Sequence, residues 1–465
     1  MKYQLPNEVK IILDKFQKAK FQIYIVGGAV RDLLMGKEVK DWDFTTDANP
    51  EEILKVLPEG FYDNKFGTVG LAVGGGLMEI TTMRKEGEYK DFRHPDKISW
   101  TNKIEDDLAR RDFTINAAAL AIPSKHLRGE ETDVTSSTHL GGGTMAIVDP
   151  FHGQQDIQDK LIRCVGNPSK RFQEDALRLI RAVRFATELE FEIDEKTFDA
   201  IKGNADLIKE IAWERIRDEL FKILASDNAC EGIIKLREAK LAQIILPELE
   251  RCFGIVQEGP KHDRVYDIGE HSLLTLKYTP SNDPLVRFAS LLHDIGKPDT
   301  VETQEDGNVT FYQHDIVGGE QARKIAKRFN LSKKQTDKLY RLIRWHMFTV
   351  SEHQTDSAIR RFIKNAGMEN IEDMMALRVG DRLGGGTQTE TSWRMEKFQE
   401  RIKEVLKKPF SIADLKVNGH DVMKVLKIKS GPKVGEILQK LFEEVLEDSS
   451  KNNREYLINR IKQYE

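Results

Sequence analysis

The 465-residue chain predicts an α+β fold, a small mixed-sheet unit at the N-terminus followed by a long run of helices. Three observations carry that reading. Short apolar runs bounded by glycine and polar turns recur before residue 122. From Asp156 onward apolar residues recur at helical spacing almost throughout. Finally, 39% hydrophobic and 32% charged residues fit a soluble, helix-rich protein rather than a membrane or disordered one.

Taken in order, MKYQLPNEVKIILDKF reads as an amphipathic helix and not as a signal peptide. A strand over Phe21–Val26 leads into a turn at Gly27-Gly28, then a helix from about Ala29. A second strand is expected over Asp41–Thr45, and a helix over Pro50–Leu57 with Asn49 as N-cap and Pro50 at the first helical position. Strands follow over Thr68–Val73 and Met78–Met83. Arg84–Pro95 (RKEGEYKDFRHP) is charged and turn-rich and is expected to be a mobile loop. A helix resumes near Ile104 and takes in RRDFTINAAAL. The stretch around SSTHLGGGT, residues 124–144, reads as a flexible surface insertion. Later helices are expected over Ser169–Ala186, Trp213–Leu224 and Ala229–Ala239, then through a histidine-rich block ended by Leu383-Gly384-Gly385-Gly386. Tail helices lie near Thr389–Lys407, His420–Leu426 and Gly435–Leu446. The expected division is 1–155, 156–255, 256–386 and 387–465.

The formal charge of −4, from 72 basic and 76 acidic residues, does not advertise a nucleic-acid partner, although only a local basic surface is needed for one. Three cysteines, Cys164, Cys230 and Cys252, form no CxxC pair. A disulfide framework or cysteine-rich zinc site is not expected, and a reducing cytoplasm is the natural compartment. No apolar run approaches the roughly 18 residues needed to span a bilayer, so no membrane partner is expected. Oligomeric state is left open.

The chemistry-bearing residues begin with Gly27, Gly28 and the Asp41-Trp42-Asp43 triplet. Glycines let backbone N–H groups approach a phosphate closely. Side chains at i and i+2 of a strand leave the same face, so Asp41 and Asp43 can hold hard cations between them. A phosphate cradle beside paired carboxylates suggests phosphoryl or nucleotidyl transfer. Arg31 lies one helical turn beyond the glycines and is placed to pair with phosphate oxygens. Glu79 is a third carboxylate candidate. Arg111 suits a triphosphate, Asp112 a ribose hydroxyl, and Asn116 follows on what reads as the same helix. Asp175, Arg178 and Arg181 recur every third residue, with Arg184 next, on one drifting helical face. Asp175 can accept from the exocyclic amine of cytosine or adenine while Arg178 donates to the neighbouring ring nitrogen or carbonyl. Uracil lacks that amine.

GGAVRD, DWDF, RRDFTINA, EDALRLIRAVRF and ERIRDEL, in this order, resemble the class II tRNA nucleotidyltransferases: CCA-adding, CC-adding and A-adding enzymes and bacterial poly(A) polymerases. The resemblance implies a nucleotidyltransferase head followed by helical neck, body and tail. It implies Mg2+ on Asp41 and Asp43, and attack of a tRNA 3′-hydroxyl on the α-phosphate of CTP or ATP with release of pyrophosphate. It implies nucleotide contacts at Gly28, Arg31, Arg111 and Asp112, base reading by Asp175 and Arg178, and support from Arg181 and Arg184. It makes Arg84–Pro95 the flexible loop implicated in switching from C to A addition.

The histidine block adds a second pattern. His293-Asp294 in ASLLHDIGKP, with His271 upstream and His314, His346 and Asp381 downstream, resembles an HD domain. Imidazoles and carboxylates on helices suit a divalent transition metal or Mg2+. His262 and His353 read as surface residues. CCA addition is the expected activity. The alternatives are a sister specificity (A-adding, CC-adding or poly(A) synthesis), or an HD-type phosphohydrolase whose head only binds RNA.

Overall fold

A computed structural model describes residues 5–62, 67–73, 76–87, 98–121, 134–140, 143–258, 265–305, 309–348, 351, 354–406 and 412–464, with backbone alone for 134–140 and 143–145. The chain divides into two compact units, 1–247 and 248–465. The first is the α+β unit. Its helix α1 (Asn7–Lys18) leads to β1 (Ile23–Val26), α2 (Gly28–Leu34), β2 (Trp42–Thr46), α3 (Pro50–Val56), β3 (Phe61–Tyr62), β4 (Thr68–Val73) and β5 (Gly76–Thr82). Next come β6 (Arg84–Glu86), β7 (Ile98–Trp100), α4 (Ile104–Ala109), β8 (Ala119–Ala121), β9 (Val134–Leu140), β10 (Gly143–Val148) and α5 (Gly153–Gln158). Eight strands form one sheet in the order β3-β4-β5-β2-β1-β8-β10-β9. It is mixed: β2 and β5 run parallel, and the other neighbours are antiparallel.

Both faces of the sheet are covered, which explains why IYIV in β1 is apolar at every position. Ile23 and Ile25 point into a core with Phe44, Ile80, Val9, Leu13 and Ile53. Tyr24 and Val26 point into a second core with Ile104, Leu108 and Val148. The α3 cap forms as the sequence predicts: the Asn49 side chain accepts from Glu52 N, and Glu52 returns a bond to Asn49 N.

Several elements differ from expectation. Arg84–Glu86 is a strand paired with Ile98–Trp100, so the expected loop starts as a hairpin arm; residues 88–97 lie outside the described residues. Within 124–144, Val134–Leu140 pairs with Gly143–Val148 and extends the sheet, because backbone pairing accepts a polar Ser/Thr run that composition alone marks as loop. The helix expected through RRDFTINAAAL ends at Ala109; Asn116 sits in a single 3-10 turn, and Ala119–Ala121 is β8.

The helix expected over Ser169–Ala186 is two, α6 (Pro168–Glu174) and α7 (Leu177–Leu189). Asp175 breaks them: its backbone is extended and its carboxylate accepts from Leu177 N at 3.1 Å. It therefore does not share the Arg178–Arg181 helical face. Three further helices, α8 (Glu195–Asn204), α9 (Trp213–Ala225) and α10 (Ala229–Glu238), pack around α7 and α6.

The second unit is helical apart from short hairpins. Its helices include Ile268–Tyr278, Pro284–Leu292, His314–Arg328, Lys333–Arg344, Asp356–Ala366, Ile371–Gly384 and Trp393–Leu406. Gly419–Leu426, Pro432–Glu447 and Arg454–Lys462 close it around their own apolar cluster. Among the described residues no helix is long and apolar enough to cross a membrane.

Candidate functional site

The α+β unit gathers most of its candidate residues around the C-terminal end of β1. Antiparallel pairing sets Val26 opposite Asp43, and parallel pairing sets Asp43 beside Glu79. All three therefore share one face of the sheet. Asp41 lies one residue before β2 and is exposed, while Asp43 is half-buried. Neither carboxylate bonds to another described side chain. Burial pushes the Asp43 pKa up; Arg111 opposes that and Asp41 adds to it. A half-buried carboxylate whose neighbouring carboxylate works against its charge is suited to a divalent ion.

Gly27 closes the other side. It has φ +71°, and a Cβ there would meet Arg111 Nη1 at 3.1 Å and Asp43 Oδ2 at 3.5 Å. Any side chain at position 27 would fill the gap between the acid and the guanidinium. Arg111 is anchored by Nη2 to buried Asp107 at 3.2 Å, yet its buried Nε has no partner among the described residues. An oriented cation with an orphan donor beside glycine backbone is a cradle for an anion.

A second layer ties this cradle to α7. Arg31 binds Asp32 and donates to Asn116 Oδ1 at 3.0 Å. Asn116 in turn donates to Asp112, which accepts from Arg181 Nε at 2.9 Å. Burial works against charge on Asp112, but Arg181 and Arg178 outweigh it and hold its pKa down to about 2. Asp112, expected at a ribose, is here the anchor of Arg181. Arg184 lies over the Phe185 ring and pairs with Glu219 and Glu188, a role inside the helical packing. Arg178 donates to Glu174 at 2.6 Å and to Arg110 O at 3.1 Å. Asp175 pairs with Arg215 Nη2 at 3.2 Å. Sequence reading missed Glu174 and Arg215, although both stand inside motifs it singled out. Arg215 Nη1 is buried without a partner among the described residues, so the Asp175–Arg215 pair still has a donor to offer.

In the second unit, five elements converge. His271 comes from Ile268–Tyr278, His293-Asp294 follow Pro284–Leu292, and His314 opens its helix. His346 follows Lys333–Arg344, and Asp381 lies on Ile371–Gly384. His262 and His353 lie outside the described residues. Two trios result, His271/His293/Asp381 and Asp294/His314/His346, with ligand atoms within 4.8 Å of one another in each. Asp294 joins them: Oδ2 is 3.2 Å from His293 Nε2 and Oδ1 is 3.4 Å from His314 Nε2. The close approach depends on Gly296, where a Cβ would fall 2.0 Å from the His314 carbonyl oxygen.

The donor set fits a cation. His293, His314 and His346 each direct Nδ1 at the carbonyl oxygen three residues earlier, at 2.7–2.8 Å. That assigns the proton to Nδ1 and leaves Nε2 as an acceptor in the neutral ring. His314 and His346 then face each other Nε2 to Nε2 at 3.4 Å, two acceptors with no proton between them. Burial pushes His346 down to about 3 and lowers His314, so both rings are neutral at physiological pH. Lys297, which sequence reading passed over three residues beyond Asp294, donates to Asp294 at 2.5 Å and to Gln257 at 2.6 Å.

Known proteins carry the same architecture. Residues 23–163 match the model for the "Poly A polymerase head domain", 190–253 that for the "Probable RNA and SrmB- binding site of polymerase A", and 300–461 the second domain of tRNA nucleotidyltransferases. The A-adding tRNA nucleotidyltransferase of Deinococcus radiodurans is 33% identical over 90% of each chain. The CCA-adding enzyme of Staphylococcus saprophyticus is 32% identical over 95% of this chain and 94% of its own. Matches to the CCA-adding enzymes of Lactobacillus helveticus and Ligilactobacillus salivarius span about half the length of those relatives, 48% and 54%. The crystal structure of the Bacillus stearothermophilus CCA-adding enzyme in complex with CTP superposes with a TM-score of 0.69 at 26% identity, covering 99% and 98% of the two chains. The fold is that of a nucleotidyltransferase head with a helical remainder. The chain belongs to the family of tRNA nucleotidyltransferases and poly(A) polymerases.

Proposed function

We propose that this protein completes tRNA 3′ ends with CCA, taking CTP and ATP and releasing pyrophosphate. The observation that carries the reading is the gap at Gly27, walled by Asp43 and by Arg111 with its unpartnered Nε. Residues 1–155 serve as head, 156–255 as base- and RNA-binding neck, 256–386 as HD body and 387–465 as RNA-binding tail. The cytoplasm is the proposed compartment, in keeping with three free, buried cysteines.

Asp41 and Asp43, with Glu79 in register, would hold Mg2+. When bound, the ion supplies charge neutralisation at the triphosphate and eases deprotonation of the attacking hydroxyl. Gly27 and Gly28 let the triphosphate approach the backbone, and Arg111 donates to its oxygens. Arg31 acts from behind, holding Asn116, which with Arg181 fixes Asp112. Asp175 accepts from the exocyclic amine of cytosine or adenine and Arg178 donates to the ring atom beside it. Both already sit in ion pairs, with Arg215 and Glu174, so their orientation precedes nucleotide arrival. Replacing Asp41 by Ala tests the proposal: CTP incorporation into tRNA is lost, and survival of incorporation refutes the head mechanism.

A second reading is favoured by the facing Nε2 atoms of His314 and His346. Residues 256–386 would then hold one or two divalent ions on His271, His293, Asp294, His314, His346 and Asp381, at an HD-type phosphohydrolase centre. Elemental analysis of dialysed protein finds metal in the wild type and not in His293→Ala. Equal, trace metal in both contradicts this reading.

A further inference from the structure

Phe185, on α7, is buried, and three guanidinium groups gather about its ring. Arg184 stands 4.0 Å from the ring centroid, Arg181 5.3 Å and Arg31 5.5 Å. Phe113 meets the ring edge-on, with centroids 5.8 Å apart and planes at 79°. Like charges gathered about one ring repel one another, and the electron-rich face of the ring attracts each of them. Each such contact is worth roughly 2- to 30-fold in an equilibrium constant. A leucine at position 185 would fill similar space and offer none of that attraction.

The arginines belong to different helices of the first unit. Arg31 lies on α2, which starts from the glycine turn at Gly27-Gly28. Arg181 lies on α7, about one helical turn beyond Arg178. Two of the carboxylate partners do nothing to join these helices: Asp32 is the chain neighbour of Arg31, and Glu188 lies on α7 with Arg184. A polar link between α2 and α7 runs through three hydrogen bonds. Arg31 Nη1 donates to Asn116 Oδ1 at 3.0 Å, Asn116 Nδ2 to Asp112 Oδ1 at 3.3 Å, and Arg181 Nε to Asp112 Oδ2 at 2.9 Å. A chain of that length can pivot at each joint. The Phe185 ring, in contact with both end members, closes it into a circuit that cannot.

We propose that Phe185 is a positioning residue: the attraction of its ring for Arg31 and Arg181 holds the phosphate cradle and the base-reading helix in register. A nucleoside triphosphate has to meet the glycine turn with its phosphates and Arg178 with its base at once, so its affinity depends on how α2 is set against α7. A bare phosphate chain meets the cradle alone. Phe185 acts through the two arginines and needs no contact with the nucleotide. The inference rests on the reading of this centre as a nucleotide site.

The test uses the full chain and two probes in the presence of Mg2+, CTP and inorganic tripolyphosphate. Affinities are measured for wild type, for Phe185→Leu, and for protein carrying a trifluorinated phenylalanine in place of Phe185. The fluorinated ring keeps the shape and strips the face of its negative charge, so it reads the attraction where leucine might also disturb packing. Both changes are expected to weaken CTP binding by about tenfold and to leave tripolyphosphate within about twofold of wild type. CTP affinity within about twofold of wild type in both variants overturns the proposal. So does an equal loss for the two probes, which makes the ring ordinary packing beneath the cradle. A loss in Phe185→Leu that the fluorinated ring does not share also overturns it, because volume and not attraction is then the cause. Wild type that binds neither probe removes the nucleotide reading, and the positioning role with it. Wild type that binds both, with variants unchanged, removes the positioning role alone.

Discussion

The acid pair of the first unit and the histidine cluster of the second differ in how they would hold a cation. Asp41 is exposed, Asp43 is half-buried, and neither is bonded to a described side chain. In the cluster, all ligands except Asp381 are at least nine-tenths buried, and three rings are locked by backbone carbonyls. An open carboxylate pair suits Mg2+ that arrives and leaves with a triphosphate. A buried, locked set of imidazoles suits a resident ion. The lesson is that two clusters of candidate ligands in one chain, held so differently, would not share a metal, a residence time or a task.

The largest expected effect separates the two sites. Asp41→Ala lowers CTP incorporation by about a thousandfold or more, the scale of several kcal/mol of charge stabilisation, and leaves bound metal unchanged. His293→Ala does the converse: the resident metal is lost and incorporation stays within about twofold of wild type. Elemental analysis and a primer-extension assay on both variants read the cross; a shared loss in either variant breaks the comparison.

A smaller effect concerns base choice. Asp175→Ala removes the acceptor for the exocyclic amine, and the preference for CTP over UTP falls by about 10- to 100-fold, the worth of about 1–3 kcal/mol for one unpaired buried group. Competition between the two nucleotides measures it. Unchanged discrimination places base reading elsewhere.

The smallest effect is on stability. Asp112 has its pKa lowered to about 2 in the folded protein, against about 3.9 unfolded. Because the folded value is the lower one, the stabilisation is complete above the unfolded pKa and fades as pH falls toward the folded one. The shift corresponds to roughly 2–3 kcal/mol. Denaturant unfolding of Asp112→Asn is expected to show a deficit of that order at pH 7 that shrinks between pH 4 and pH 2. A deficit independent of pH would assign the loss to packing instead.

Much of this was legible beforehand because local patterns and global fold agree. β4 runs over Thr68–Val73 as its short apolar run and flanking glycines suggest, and Asn49-Pro50 starts α3 where cap chemistry puts it. The histidine cluster was legible because imidazoles and carboxylates so disposed have few other uses. Other features lay beyond the pattern. Asp175 reads as a helical residue until its carboxylate is seen capping Leu177, a choice between two hydrogen bonds that spacing does not decide. The pairing of Asp112 with Arg181, 69 residues away, is one that spacing does not show. Arg215 was inside a noted motif, but only tertiary packing brings it to Asp175. β9 was invisible because its Ser/Thr run pairs through backbone alone.

The relatives divide over what the head adds, one named A-adding and the others CCA-adding, so the product itself is the decisive observable. tRNA transcripts ending at the discriminator base, at C and at CC are each offered CTP, ATP or both, and the 3′ ends are sequenced. The account predicts that all three are completed to CCA when both nucleotides are present, and that CTP alone stops the first two at CC. Extension of only the CC-ending transcript, with ATP alone, would contradict it.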